Sequence, residues 1–345
     1  MNSKHRIYSL PYNGTNPEWY IQEVEKRKAN IDHVYCELPP ENTETMLSHV
    51  GGNIRFENRE KNYDAEMYRY NFLINCDTFL KMSAGKFRRI CPINAAFYAY
   101  KTKNEFRDFA DFIIRSVDKY KLDGLIITDM QLGKVLKKER PELELHTSCN
   151  CWQWNIAQME IWQEQCGIKV FNPPREILRS PAKLKEMHDY GFKLKCLINE
   201  SCLFGCPNTI YHAMSQALHS VCTMNTCIQR GLGDLFRGNY ILPRWQRQLD
   251  KYVDIYKISG RNVSGIYPFL VFDAYISENN SMPLLDLILS GTSAFFKQQV
   301  PAEYWKNITL DVVPDKLLTC ECKNCDKCRL CEKILSKYVP KSYFK

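Results

Sequence analysis

The feature that most constrains this chain is a repeated alternation of short apolar runs, each ending in polar residues, with stretches of helical periodicity. The runs are Val34 to Leu38, Arg88 to Pro92, Leu125 to Thr128, Leu143 to Thr147, Lys169 to Phe171, Leu194 to Ile198 and Ile255 to Ser259. Runs that are apolar throughout suit parallel strands covered on both faces, and parallel strands need a crossover helix between neighbours. Asn104 to Tyr120 supplies one such helix, with Phe106, Phe109, Phe112, Ile113 and Val117 on one side, and Asn155 to Cys166 supplies another. A further strand is expected between Asn53 and Ile74. That brings the total to about eight and favours an α/β fold of the TIM-like (β/α)8 barrel type over an open doubly wound sheet.

The length of 345 residues leaves room beyond such a barrel. After Arg261 the pattern turns Tyr- and Phe-rich, with a helix expected around Pro283 to Leu289 and then a tail of closely spaced cysteines. The expected organisation is a barrel over residues 1–290 and a small Cys-rich C-terminal appendage over residues 291–345. No Gly-x-Gly-x-x-Gly or Walker loop is present, and Gly51-Gly52 precedes no clear strand-to-helix turn, so a dinucleotide cofactor is not supported. No run approaches the roughly 18 apolar residues of a membrane span. Met1 to Arg6 leads into no apolar stretch of signal-peptide type, so a cytoplasmic protein without membrane association is expected. The net charge of +8 comes from 47 Lys and Arg against 39 Asp and Glu, mixed along the chain, which reads as a solvated surface rather than a nucleic-acid footprint.

In a reducing compartment the 16 cysteines are not expected to pair as disulfides and point instead to metal or redox chemistry. Cys76 and Cys196 lie inside apolar runs and are expected as buried small hydrophobes. The others cluster where barrel chemistry resides, in the loops after the strands. After the fifth strand comes His146 to Trp152, with Cys149 and Cys151; after the sixth, Asn172-Pro173-Pro174-Arg175-Glu176; after the seventh, Asn199 to Pro207; after the eighth, Ser259-Gly260-Arg261. Cys202 and Cys206 are three residues apart, with Gly205 allowing a tight turn, and Cys222 and Cys227 follow within a helix length. Four such thiolates suit either a 4Fe-4S cluster or tetrahedral zinc. The tail cysteines Cys320, Cys322, Cys325, Cys328 and Cys331 form a second metal-binding pattern. Its two-residue gaps resemble half of a ferredoxin ligand set, and iron-sulfur, zinc and a site shared with the barrel loop all remain open.

A cysteine nucleophile is the rival use, with His146 or His212 as its base, although no spacing demonstrates such a pair. Six positions beyond Cys206, His212 reads more simply as a surface or capping histidine. Arg175 and Glu176 read either as an internal ion pair at the barrel mouth or, for Arg175, as a clamp on a substrate carboxylate. No Ser-His-Asp, His-Glu-x-x-His or papain-like signature is present.

From Asp123 to Arg261 the chain carries Asp-Gly-Leu-Ile-Ile-Thr-Asp, His-Thr-Ser, Pro-Pro-Arg-Glu-Ile, a cysteine-bearing loop and Tyr-Lys-Ile-Ser-Gly-Arg, in that order. This succession resembles the peptidase U-32 family of collagenase-like proteins. The resemblance implies a TIM-like barrel with a 4Fe-4S cluster on four cysteines. Cys202 and Cys206 fall in the family's cluster loop, and Cys222 and Cys227 are the third and fourth ligands by position. Arg175, Glu176, Lys257 and Arg261 match the family's Arg-Glu and Lys-Ile-x-Gly-Arg motifs. Members include collagenase-like peptidases and proteins resembling oxygen-independent hydroxylation factors for ubiquinone precursors or for tRNA and ribosomal RNA bases. The expected function is an iron-sulfur oxidoreductase modifying a peptide, an RNA base or a small aromatic molecule, served by an electron donor. In that role Arg175 and Arg261 bind an anionic group, and Glu176 or Lys257 handles a proton. The alternatives are a collagenase-like peptidase and a non-catalytic iron-sulfur partner of another enzyme.

Overall fold

The computed structural model of the chain describes residues 5–39, 63–217, 232–261, 263, 265–288, 292–320 and 324–343. Seven strands form one parallel sheet: β1 (Tyr8–Pro11), β2 (Ile31–Tyr35), β3 (Arg89–Ile93), β4 (Gly124–Ile127), β5 (Glu144–Thr147), β6 (Lys195–Leu197) and β7 (Ile255–Lys257). Their order is β5-β4-β3-β2-β1-β7-β6, so the first and last strands are neighbours at the middle. The sheet is curled, and its two edges both meet the segment at Val170 and Phe171, through parallel bridges His146 to Val170 and Phe171 to Leu194. There the Thr147 N–H donates to the Val170 carbonyl at 3.0 Å, and the Lys195 N–H donates to the Phe171 carbonyl at 2.7 Å.

The strand expected between Asn53 and Ile74 is not found over the described part of that stretch. Residues 63–74 lie in a helix, Tyr63–Met82, while residues 53–62 fall outside the described ones. A strand not read from the sequence is β1, which pairs with β2 on one side and β7 on the other. Its four residues include a serine and end in proline, so it has no apolar run to betray it.

Crossover helices cover the outer face: α1 (Pro17–Arg27), α2 (Tyr63–Met82), α3 (Lys103–Tyr120), α4 (Met130–Glu139), α5 (Ile156–Cys166) and α6 (Pro181–Asp189). Local chemistry sets their ends. Asn16, Thr102, Asp129 and Asn155 each cap a helix start with a side-chain oxygen, and Gly167 closes α5 at a φ of +67°. The helices expected at Asn104 to Tyr120 and Asn155 to Cys166 are α3 and α5 to within a residue. The one expected around Pro283 to Leu289 is a single turn, Leu284–Leu287.

Side chains alternate across the sheet. Tyr8, Leu10, Val34, Cys36, Leu125, Leu145, Cys196 and Tyr256 join the helices in the main core, whereas Tyr35, Ile90 and Ile126 form a separate small cluster on the inner face. Cys76 and Cys196 are fully buried in the main core, as expected of filler thiols. That core also takes in Leu317, Leu318, Leu335 and Val339 near the C-terminus. Among the described residues no helix is long and apolar enough to cross a membrane.

Candidate functional site

The C-terminal ends of the strands form a polar rim. Glu37 follows β2, Asn94 follows β3, Ser148 and Cys149 follow β5, and Asn172 and Arg175 follow Phe171. Asn199, Glu200 and Cys202 follow β6, Lys257 ends β7, and Arg261 lies just beyond. The exits of β6 and β7 are braced by Asn199. Its Oδ1 accepts from the Ser259 N–H at 2.6 Å and the Ser259 hydroxyl at 3.0 Å.

Cations dominate the rim. Arg175 Nε lies 2.6 Å from Glu200 Oε2, and Arg175 Nη1 points a hydrogen at Cys202 Sγ, 3.8 Å away. Arg261 pairs with Glu37. The Tyr35 ring carries two cations, Lys257 Nζ at 4.5 Å from its centroid and the Arg261 guanidinium at 5.7 Å, while its hydroxyl donates to the Ile258 carbonyl at 2.6 Å. Burial brings the Lys257 ammonium down to about 8; Arg261 and Arg175 push the same way, and Cys149 and Glu200 oppose them. Both amide atoms of Asn172 and of Gln153, and Oδ1 of Asn94, are buried with no hydrogen-bond partner among the described residues. Such orphaned groups cost free energy, and others lie away from the rim, at Arg89 Nε and the Tyr240 hydroxyl.

The loop from Cys202 to Cys206 is held by backbone. Leu203 bridges Gly238, Phe204 N–H donates to the Arg237 carbonyl at 2.8 Å, and Gly205 takes the left-handed turn at a φ of +67°. Both thiols are half-exposed and stand outside any disulfide among the described residues. Two thiols on one braced turn, one of them facing a guanidinium, suit thiolate ligands of a metal cluster. Cys222 and Cys227 lie outside the described residues, as does Cys322. In the tail Cys320, Cys325 and Cys331 are half-buried and Cys328 is exposed. Burial pushes the Cys331 thiol up to about 11, with Cys320, Cys325 and Cys328 adding to it. A side chain at Gly233 would come 3.5 Å from Cys331 Cβ, so the tail lies against the segment that follows Cys222 and Cys227. Among the described residues no group of three or more His, Cys, Asp or Glu side chains is arranged to hold a metal ion.

His146, a candidate base for a cysteine nucleophile, is instead sealed at the inner face with 0% exposure. Its Nε2–H donates to Glu144 Oε1 at 2.5 Å, and its Nδ1 accepts from Lys195 Nζ at 2.6 Å. A second arm runs beside it, with His33 Nδ1–H donating to Asp32 Oδ2 at 2.6 Å and Ser9 Oγ donating to His33 Nε2 at 2.7 Å. Arg88 joins the arms, 3.0 Å from Asp32 and 2.7 Å from Glu144. Burial drives both imidazoles below their ordinary value, His33 to about 4, and drives the Lys195 ammonium well below its own. Ser9, His33 and Asp32 thus stand in the order of a hydrolytic triad, but no substrate carbonyl reaches a fully buried Ser9. The other candidate base, His212, is half-buried on α7 (Thr209–Ala217).

Of the residues expected to act, Arg175, Lys257, Arg261 and Cys202 share this rim. Glu176 is half-buried on the turn Arg175–Arg179, but the carboxylate paired with Arg175 is Glu200. Sequence reasoning assigned no role to Tyr35, Glu37, Glu200 or Lys195. Glu37 and Lys195 had a usable signal, a charge inside an apolar run.

A family model described as peptidase family U32 matches residues 82–201, from the end of α2 to the residue before Cys202. An uncharacterized protease of Methanocaldococcus jannaschii is 25% identical over 250 residues, 68% of this chain and 72% of that protein. The solved structure of a U32 peptidase is 10% identical with a TM-score of 0.48, over 75% of this chain and 94% of its own.

Proposed function

From the premise that the chain belongs to peptidase family U32, we propose that it is an iron-sulfur enzyme performing a redox modification of an anionic substrate at the rim, oxygen-independent hydroxylation with water as the oxygen source and an external acceptor for the two electrons being one form of it. One observation carries this reading: a guanidinium stands 3.8 Å from a half-exposed cysteine on a braced loop, beside a second arginine and a buried lysine. The frame we infer is a (β/α)8 barrel with a Cys-rich appendage, supported by the bridges through Val170 and Phe171 that join β5 to β6.

Cys202 and Cys206, with Cys222 and Cys227, would hold a 4Fe-4S cluster, whose chemistry is one-electron transfer. Arg175 and Arg261 orient the anionic group of the substrate, a peptide, an RNA base or a small aromatic molecule. Glu200 and Glu37 hold those two guanidinium groups in place. Lys257 exchanges a proton near neutral pH, because burial has brought its ammonium within reach of that range. Glu176 is the second proton-handling candidate. The tail cysteines cap this centre or hold a second iron-sulfur or zinc site. The protease name of the relative favours hydrolysis, yet the buried Ser9, His33 and Asp32 relay offers that chemistry no access.

The test is iron, sulfide and zinc content with an absorption spectrum on anaerobically purified protein, compared with a Cys202→Ala, Cys206→Ala double variant. About four irons and four sulfides per chain, lost in the variant, support the reading. Iron retained in the variant moves the cluster to the tail, and zinc alone defeats the redox assignment.

A further inference from the structure

Two of the three rim cations have carboxylate partners, Arg175 with Glu200 and Arg261 with Glu37. Lys257 has neither an ion pair nor a side-chain hydrogen bond among the described residues, and its amine rests over the Tyr35 ring at 4.5 Å. In register beside it stand Ser9 and Leu197, a hydroxyl and an apolar side chain, neither of which neutralises charge. The side chain keeps only 6% exposure at the C-terminal end of its strand. Arg261 shares the Tyr35 ring with it, its guanidinium 5.7 Å from the ring centroid. A desolvated amine without a counter-ion, next to a guanidinium, is the arrangement that activates lysine as a nucleophile.

We propose that Lys257 is a carbonyl-reactive amine and that the rim accepts an oxo acid, its carboxylate on Arg261 and its carbonyl carbon at Lys257 Nζ. The inference rests on the reading of the rim as the substrate site and adds to it the class of substrate. In the reaction the neutral amine adds its lone pair to the carbonyl carbon and gives a carbinolamine. Loss of the carbonyl oxygen as water, with one proton taken from solvent, leaves a protonated imine; no electrons are exchanged. The charged and titratable groups around the amine are Cys149 after β5, Arg175 after Phe171, Glu200 after β6, Arg261 after β7 and Lys195 on the inner face. Burial together with the cations among them maintains a neutral fraction of the amine at mildly alkaline pH.

The experiment treats the full chain with glyoxylate and sodium cyanoborohydride and reads the adduct by intact mass and peptide mapping, with acetaldehyde as a probe lacking the carboxylate. The expected result is one adduct per chain on Lys257, absent in Lys257→Arg, with glyoxylate favoured over acetaldehyde by more than about tenfold. In Arg261→Gln that preference disappears while acetaldehyde still labels Lys257. Adducts spread over exposed lysines with Lys257 unmodified overturn the proposal, and the wild-type peptide map decides this even if Lys257→Arg fails to fold. Equal labelling by both probes in the wild type overturns the oxo-acid assignment. Iron analysis of the same preparation reads the cluster separately: iron present with Lys257 unlabelled defeats this inference alone.

Discussion

Along the inner face of the sheet, the N-terminal half and the C-terminal rim are both polar and largely buried, yet their groups are satisfied in opposite ways. Below, Glu144, His146 and Lys195 form one hydrogen-bonded arm, Asp32, His33 and Ser9 form another, and Arg88 ties the two carboxylates together. Above, among the described residues, Asn172, Gln153 and Asn94 keep buried atoms without partners, and Lys257 stands without a counter-ion. A polar network that closes on itself specifies a structure, because every member would pay for leaving. One that stays open holds groups ready for something else, at a cost in stability that the closed half and the core must offset.

The largest expected effect comes from breaking the closed half. His146→Ala leaves Lys195 buried without its acceptor and is expected to cost about 3–5 kcal/mol in urea unfolding, the range for removing one partner of a buried ionisable pair. A loss below about 1 kcal/mol would mean that the lower network is as loosely held as the rim and would erase the contrast.

Acidification attacks the same half without mutation. His33 and His146 titrate lower in the folded chain than the ordinary 6.5, so between that value and about 4 the unfolded chain binds more protons. Stability must therefore fall as the pH drops through this window, by up to about 1.4 kcal/mol per pH unit for each histidine. Asp32, held below the usual carboxylate range against the opposing effect of burial by His33 and Arg88, adds its loss only at lower pH. Thermal midpoints between pH 7 and pH 5 check the sign, and a flat profile would show that the imidazoles are hydrated in solution.

The smallest stability effect is expected at the rim. Arg175→Lys keeps the charge beside Glu200 but loses the fork that also reaches Cys202. Its unfolding free energy should change by no more than about 1 kcal/mol. Bound iron, or the visible absorption that reports it, should drop visibly. Unchanged iron together with a large stability loss would reassign Arg175 to the structural half.

Much of this arrangement was legible beforehand because βα alternation leaves a periodic trace. α3 and α5 were readable from their helical periodicity, Arg175, Arg261 and Cys202 were readable as residues that follow strand-like runs, and Lys257 came only from the family resemblance. β1 was not, since a four-residue strand containing Ser9 and Pro11 gives no apolar run, and the basic residues before it obscure its start. The partners at the rim were equally hidden. Glu37 and Arg261 are far apart in the chain and adjacent in space, and no local pattern encodes that pairing. His146 shows the opposite failure: its type and its place near Cys149 suggested a base, but the two-residue alternation of β5 turns its ring inward to Glu144 and Lys195.

From the sequence alone came the class of fold, the extents of α3 and α5, the burial of Cys76 and Cys196, and the list of groups able to do chemistry, all of them properties of residue type and short-range spacing. The tertiary structure alone decided which carboxylate neutralises which cation, which histidines are sealed and which lysine has no counter-ion among the described residues. Those outcomes depend on strand register and on desolvation, and both are set by contacts between segments distant in the chain.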